Sequence, residues 1–351
     1  MEQPVCEIGA LRRSTIPDDI RANIHVLLVA KHVFSENTLH AEDGNHAIYH
    51  REIRSVLERM GTRLTLADNY DILFNDPGVD FVFPLLNRAG FLNSEMLLPL
   101  LCTRLDIPFL GASPILRGLS DDKHLTKLEA AARGIPTAPW TIYRHGAPVT
   151  EAGCPMAERM VIKPNASSAS WGVRDASDWT GVRHAVEEIQ EEGHDAIVEP
   201  FLAGHDIEVP AILSGNAPAL FPMLMFQQAD PDHLRTYAEK RDLDVREGKY
   251  ETVLFDDPEW EPRITRYTQA MCEVFHPFDY GRFEFRINPD SGELIFLETN
   301  LNCNLWSEKI YGRAAKEVGW SHDELIETIL AESMQRQGLI SHELVLTEDA
   351  A

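Results

Sequence analysis

The chain of 351 residues is poor in cysteine, in long hydrophobic runs and in positive charge. Its five cysteines, Cys6, Cys102, Cys154, Cys272 and Cys303, are odd in number, lie far apart and form no C-x-x-C. No disulfide framework is implied, and a reducing cytoplasm fits best. The longest early apolar stretch, residues 24–30, is interrupted by His25. It is of strand length, far from the roughly 18 residues of a membrane span. The opening MEQPVCEIGALRRST carries no apolar core of a secretory signal. Lys and Arg number 32 against 56 Asp and Glu, a net charge of −24. Such a balance is unsuited to phosphate backbones and to anionic membranes, so neither nucleic acid nor membrane is expected as a partner. A single basic cleft for an anionic small molecule remains compatible with it. With 44% apolar and 25% charged residues the composition is otherwise that of a globular protein. At about 150 residues per domain, two or three domains are expected.

After a polar lead-in, residues 24–30 (IHVLLVA) read as a buried parallel strand. The stretch 47–61 is an amphipathic helix, with Ile53, Val56, Leu57 and Met60 at i, i+3, i+4, i+7 and Gly61 closing it. Residues 81–86 are a second strand, 94–106 look helical, and 107–113 form a short strand and turn. The alternation points to an open α/β unit. Residues 121–135 read as one helix stopped by Gly134. Strand, loop and strand follow over 160–173, then a helix over 177–193 with Ser177 or Asp178 as N-cap, then strands at 196–202 and 206–213. These make a small α+β module. The polar stretch 227–262 lacks periodicity and reads as a long functional loop. Residues 281–300 are a hairpin turning through 288–292, and 321–337 a closing helix with Ser321 and Glu324 spaced as a capping box.

The hairpin carries the clearest chemistry. Side chains alternate along a strand, so Arg282, Glu284 and Arg286 share a face, as do Glu298 and Asn300. With the turn near Ser291, Glu284 falls opposite Glu298. Facing carboxylates repel, and a divalent cation would remove the conflict. Two carboxylates and an amide oxygen are hard donors suited to Mg²⁺ on phosphates. A solvated charged face is the competing reading. In VIKPNASSASWG, Lys163 ends a strand before a Ser-rich loop whose backbone N–H groups can approach phosphate. It is not a Walker A sequence, and alone it is equally a plain turn. In IVEPFLAGHDIEV, Glu199 to Leu202 offer an extended backbone to a base edge, with Pro200 keeping only its carbonyl.

Together and in this order these segments resemble the ATP-grasp superfamily and, within it, the D-alanine–D-alanine ligase-like branch. The resemblance is firm over residues 107–337. It is carried by IPFLGASPILRGLSDDKHLTKLEAAARGIPTAPW, VIKPNASSASWGV, VEPFLAGHDIEV, TYAEKRD, GRFEF with FLETN, and the run from LETNLNCNLWSEK onward. It implies a three-domain ATP-grasp fold of class α/β and α+β. The expected units are an open α/β N-terminal substrate domain (1–111), a small α+β central domain (112–202) and a larger α+β catalytic domain (203–351). It also implies ATP, two Mg²⁺ ions (Mn²⁺ as an alternative), small-molecule substrates with at least one amino acid, and a homodimer. Residue by residue, the resemblance gives Lys123 and Lys163 to the α- and β-phosphates, and Ser170 as a donor from the loop. Glu199, the Pro200 carbonyl and the Leu202 N–H go to the adenine, and Asp206 to the ribose in place of the usual glutamate. Lys240 goes to the γ-phosphate, and Glu284, Glu298 and Asn300 to the metal. Arg282 would stabilise the oxyanion of a tetrahedral intermediate.

The substrate half departs from the family. The family's H-G-x-x-G-E-D-G loop is here NRAGFLNSE (87–95), with Asn87 for the histidine. Ala169 and Arg241 replace the serine and tyrosine that hold the first D-alanine. S-P-G becomes Asn302-Cys303-Asn304, and the carboxylate-gripping serine falls on Lys309, beside Ser307. Glu36 lies near the family's substrate glutamate. The implied activity is ATP-dependent carboxylate–amine ligation through an acyl phosphate, on substrates other than two D-alanines and fitting natural-product biosynthesis. The alternatives are a D-alanine–D-alanine ligase of peptidoglycan synthesis, a mycosporine-type ligase adding an amino acid to a phosphate-activated cyclohexenone, and a nucleotide-binding regulator without turnover. His46 and His50, spaced i, i+4, suit a surface or substrate-facing pair better than zinc. Cys303 reads as packing rather than as a nucleophile, and Trp171 and Trp306 as pocket or core.

Overall fold

Burial on both faces suits a central parallel strand, and the apolar run after a short helix α1 (Asp18–Asn23) becomes one: β1 (His25–Val29). The computed structural model describes residues 7–36, 38–86, 94–243, 250–301 and 303–341. Asn87, Asn302 and the tail beyond 341 lie outside the described residues. Helix α2 (His46–Met60) follows and buries Tyr49, His50, Ile53, Val56, Leu57 and Met60. Each fully buried aliphatic side chain there contributes roughly 1.5–3 kcal/mol. The helix ends at Gly61 with φ 82°, a left-handed conformation glycine adopts without strain. Strands β2 (Arg63–Ala67) and β3 (Phe81–Pro84) flank β1 in a parallel three-stranded sheet of order β2-β1-β3. Helix α3 (Leu97–Leu105) closes this unit. The strand expected over 107–113 reduces to one parallel bridge between Phe109 and Val82.

The helix expected over 121–135 is two helices in the structure, α4 (Pro114–Asp121) and α5 (Lys123–Ala132). Asp122 leaves the helical region (φ −86°, ψ 103°) and its side chain caps α5 by accepting from the Leu125 N–H. Ala112, Ala130 and Ile135 pack with Phe283, Phe285 and Phe296, so this segment rests on the C-terminal sheet. An antiparallel sheet follows, built from β4 (Thr141–Tyr143), β5 (Met160–Pro164), β6 (Arg174–Ala176) and β7 (Ala196–Pro200) in the order β4-β7-β5-β6. It is covered by α6 (Trp179–Glu191), which Asp178 rather than Ser177 caps.

The largest sheet contains β8 (His205–Ser214), β9 (Ala217–Leu220) and β10 (Leu224–Gln228). After the one-turn helix α7 (Tyr237–Lys240) it adds the edge strand β11 (Tyr250–Leu254). Helix α8 (Glu261–Phe275) precedes the hairpin β12 (Tyr280–Asn288) and β13 (Glu293–Asn300). The order is β11-β10-β8-β12-β13, with β9 on β8. The stretch read as a long loop therefore holds the end of β10, a capping-box turn from Thr236 to Glu239, and β11. Helices α9 (Ile310–Glu317) and α10 (His322–Arg336) end the described chain, α10 with the expected Ser321/Glu324 box. Both share a core with β1 and α2, which fixes the first sheet against the last. Among the described residues no helix is long and apolar enough to cross a membrane.

Candidate functional site

The register of the last sheet sets its chemistry. Glu284 pairs with Glu298 on β13, as the turn position predicts, and with Glu208 on β8. Three glutamates thus stand abreast on adjacent strands. Like charges so placed destabilise a sheet unless cations neutralise them. Arg282 does so on one side, its Nε 3.0 Å from Glu208 Oε2 and 3.0 Å from Glu284 Oε1. Lys123 approaches Glu298 to 3.2 Å on the other. Burial, reinforced by the Glu208 and Glu298 charges, pushes Glu284 up to about 7. Burial would raise Glu298 as well, but Lys123, Lys163 and Lys240 override it and hold that carboxyl near 2. Arg282 stays firmly protonated, because Glu208 and Glu284 outweigh its burial.

Two cavities meet at this ladder. The smaller, about 120 Å³, lies between the central and C-terminal sheets. It is lined by Lys123, Lys163, the 167–170 loop, Glu199 to Leu202, Asp206, Lys240, Glu284 and Glu298. Ala169 and Ser170 hold left-handed conformations (φ 53° and 60°) in that loop. Lys163 and Lys127 both grip Glu199, Lys127 at 2.9 Å. This buried trio compensates its own charges, and Lys127 was not anticipated. Asp206 accepts from Arg286 at 2.9 Å, with Arg235 3.9 Å away. Lys240 lines both cavities and has no ion-pair or hydrogen-bond partner for its ammonium among the described residues. Burial and the nearby Arg235 lower its pKa.

The larger cavity, about 530 Å³, is bounded by α2, α4, the 31–46 segment, the Lys240 segment and the start of α9. Among the described residues its walls carry nine lysines and arginines against six carboxylates, a basic cleft inside an acidic chain. Arg282, Asn300, Arg241 and Lys309 all face it. Lys309 occupies the N-cap position of α9 without a side-chain capping bond and pairs with Asp242 at 3.4 Å. Cys303 lines it too, with its thiol pushed up to about 12 by burial, which leaves no thiolate for catalysis. Trp171 borders it, whereas Trp306 packs with the first core. On the N-terminal side stand Lys31, His32, Asp43, His46 and His50.

His32, His40 and Asp43 lie close enough to suggest a cation site. The donors argue otherwise. His40 Nδ1 accepts the N–H groups of Glu42 and Asp43 (3.2 Å each), so its proton sits on Nε2. Asp43 is already held by Lys31 and by His32 Nε2 at 2.7 Å. The ladder fits a metal better. Glu284 and Glu298 face each other, and Asn300 stands opposite Arg282 two pairs further on, so oxygen donors lie close together beside Lys123.

The structure brings Lys123, Lys163, Ser170, Glu199, Pro200, Leu202, Asp206, Lys240, Glu284 and Glu298 to the smaller cavity. It brings Arg282, Asn300, Arg241 and Lys309 to the larger one. It does not bring Glu36, which is exposed on its loop and absent from both linings. Nor does it bring Ser307, whose hydroxyl donates to Glu52 at 2.6 Å and whose N–H donates to the same carboxylate at 3.1 Å. Ser307 thus ties the segment before α9 to α2. Glu208, Arg235 and His32 went unread, whereas His46 and His50, expected as a surface or substrate-facing pair, both line the larger cavity. For Glu208 the signal was present, since it shares a strand face with Asp206.

Comparison with known proteins gives consistent results. The family model described as D-ala D-ala ligase C-terminus matches residues 130–331. The uncharacterized protein y4sG of Sinorhizobium fredii is 29% identical over 235 residues, 64% of this chain and 66% of that protein. A D-alanine–D-alanine ligase of Synechococcus is 24% identical over 294 residues, 82% of this chain and 88% of that enzyme. Among solved structures, the D-alanine–D-alanine ligase of Bacillus anthracis complexed with ATP superposes with a TM-score of 0.71 at 15% identity. That match covers 90% of this chain and 98% of that one and shows a shared fold.

Proposed function

The chain belongs to the D-Ala–D-Ala ligase family of ATP-grasp proteins, and from that premise we propose that it is an ADP-forming ligase joining a carboxylic acid to an amine other than as two D-alanines. The carrying observation is Lys240, whose ammonium has no partner among the described residues and stands at the junction of a phosphate-type cavity and a basic substrate cavity. ATP takes the smaller cavity, with Lys123, Lys163 and the Ser170 loop on its phosphates. The Leu202 N–H, which has no hydrogen-bond partner among the described residues, meets the base. Asp206 approaches the ribose only in competition with Arg286. Glu284, Glu298 and Asn300 would hold Mg²⁺, which supplies positive charge to the transferring phosphoryl group.

A substrate carboxylate oxygen forms a bond to the γ-phosphorus, the bond to ADP breaks, and an acyl phosphate results. Lys240 accompanies the charge that moves between the cavities. The amine nitrogen then bonds to the carbonyl carbon, Arg282 stabilises the oxyanion that develops, and phosphate leaves as the nitrogen loses a proton. Lys309 holds the carboxylate of an amino-acid donor, exchanging Asp242 for it. The replaced substrate residues, Arg241 and Lys309 among them, favour acids and donors larger than D-alanine, as in natural-product assembly. Domains bounded near residues 111 and 202, a homodimer and a cytoplasmic setting belong to the same reading. The experiment is ADP release from purified protein with pools of acids and amines. D-alanine alone as the best substrate would favour a cell-wall ligase, and ADP release independent of any acid would contradict ligation.

A further inference from the structure

Arg282 and its two glutamates are divided between the cavities. Among the described residues, Arg282 and Glu208 line the larger cavity and not the smaller, whereas Glu284 lines the smaller and not the larger. The three still touch, because β12 runs between β8 and β13 and Glu284 pairs with Glu208 in register. Arg282 reaches across the divide. Its Nε donates to Glu284 Oε1 at 3.0 Å, and its Nη2 donates to the same oxygen.

Glu208 is left short of a donor. Its Oε2 lies 3.0 Å from Arg282 Nε, yet it is buried and accepts no hydrogen bond. An arginine Nε carries one hydrogen, and Glu284 holds it. The residue is only 2% exposed. On its far side Arg235, stacked 4.0 Å over the Phe226 ring, stands 4.0 Å from Oε1 and steadies the carboxylate by charge. Buried acceptors are normally satisfied, and an exception calls for a donor that arrives.

We propose that Glu208 is a positioning residue that takes over Arg282 when Glu284 turns to Mg²⁺, so that loading of metal and nucleotide draws the guanidinium toward the substrate cavity. This rests on the ligase reading, which gives Glu284 to the metal and Arg282 to the oxyanion. One carboxylate serves both badly. A guanidinium on Glu284 uses negative charge that a divalent cation needs, and it sets a like charge beside that cation. The exchange is short, since Nε lies 3.0 Å from either acceptor. One charge-assisted hydrogen bond replaces another, and the buried Oε2 gains its donor. The oxyanion arginine is then held on the substrate side only when the nucleotide site is filled.

The test reads metal binding rather than turnover. Electron paramagnetic resonance counts free Mn²⁺ in the presence of the imido analogue of ATP, which cannot pass on its phosphoryl group. Glu208→Gln keeps the shape and loses the charge that draws Arg282 away, so Mn²⁺ binding should weaken about tenfold. In an Arg282→Met background the same change should alter it about threefold at most, because no guanidinium is left to move. A full loss in that background too makes Glu208 a ligand or a plain charge and overturns the relay, as does unchanged Mn²⁺ affinity in Glu208→Gln. A crystal structure of the unaltered protein with Mn²⁺ and the analogue needs no variant to fold. Arg282 Nε should donate to Glu208 there, with Glu284 on the metal. Nε still on Glu284 overturns the relay and leaves the ligase reading standing, and metal bound away from Glu284 overturns the relay together with the metal assignment. The exchange seen in that structure, with no acid yielding ADP, would uphold the relay and sink the ligase reading.

Discussion

Replacing Lys240 with methionine should separate function from stability in an unusual direction. Lys240 stands between two cavities with no ion-pair partner among the described residues, and burial together with Arg235 disfavours its charge. A buried charge without a close partner destabilises the fold, and an apolar side chain of similar length does not. Methionine fills the same channel. The melting temperature of the nucleotide-free protein should therefore hold or rise. Phosphoryl transfer should suffer, because a preorganised cation aimed at moving charge supplies roughly 3–4 kcal/mol, about a hundredfold to a thousandfold in kcat. The assays are thermal denaturation without nucleotide and steady-state ADP release at saturating ATP. A structural lysine predicts the reverse pair, a lower melting temperature with activity falling only in proportion to folded protein. That outcome, or a fall in kcat of less than tenfold, would refute the assignment.

Three further outcomes follow from the geometry. Glu298→Gln should lower the melting temperature, since it removes the carboxylate that faces Lys123 at 3.2 Å, and reduce ADP release per folded molecule by at least a hundredfold while shifting its Mg²⁺ dependence; an unchanged Mg²⁺ profile would remove Glu298 from the metal site. Gly44→Ala should lower kcat while leaving α2 folded, because Gly44 has φ +55° and an added Cβ would lie 1.9 Å from the Arg241 carbonyl of the Lys240 segment, which docks there on Asn45. Wild-type kcat would show that this docking is dispensable. The third concerns pH. Burial, with help from His32 and Arg241, holds His50 at about 3 against 6.5 when unfolded. The unfolded chain thus binds more protons between those values, and stability present above pH 6.5 is lost as pH falls toward 3, at about 1.4 kcal/mol per unit. Urea melts at pH 7 and pH 5 should differ by about 2 kcal/mol more in wild type than in His50→Asn, and equal differences would deny His50 this role.

Much of the site was legible because its spacing is local. A hairpin with turn formers at a known place fixes which residues face each other, so Glu284 and Glu298 could be paired from the sequence. Ser321 with Glu324 announced a helix start in the same way. Helix α8 went unread although Ile264, Thr268, Met271, Cys272 and Phe275 line one face, because Thr268 and Cys272 weaken the apolar stripe. β11 was missed for another reason. It is a five-residue edge strand of mixed polarity, and its partner β10 supplies the order its own pattern lacks. His46 and His50 were legible as an i, i+4 pair, but what surrounds them needed tertiary structure. His32 comes from the loop after β1, His50 from α2 and Arg241 from a segment some 190 residues later. No spacing rule joins them. Ser307 and Glu36 show the converse, since a position alongside a family residue says nothing of a new partner such as Glu52.

The central claim is that ATP activates a carboxylate as an acyl phosphate, and oxygen transfer tests it most directly. With ¹⁸O in both oxygens of the acid's carboxylate, turnover with ATP and an amine should place one labelled oxygen in the released phosphate and leave the other in the amide, with ADP formed in equal amount. Unlabelled phosphate, or label leaving in AMP, would contradict the mechanism and with it the role given to the Glu208–Glu284–Glu298 ladder.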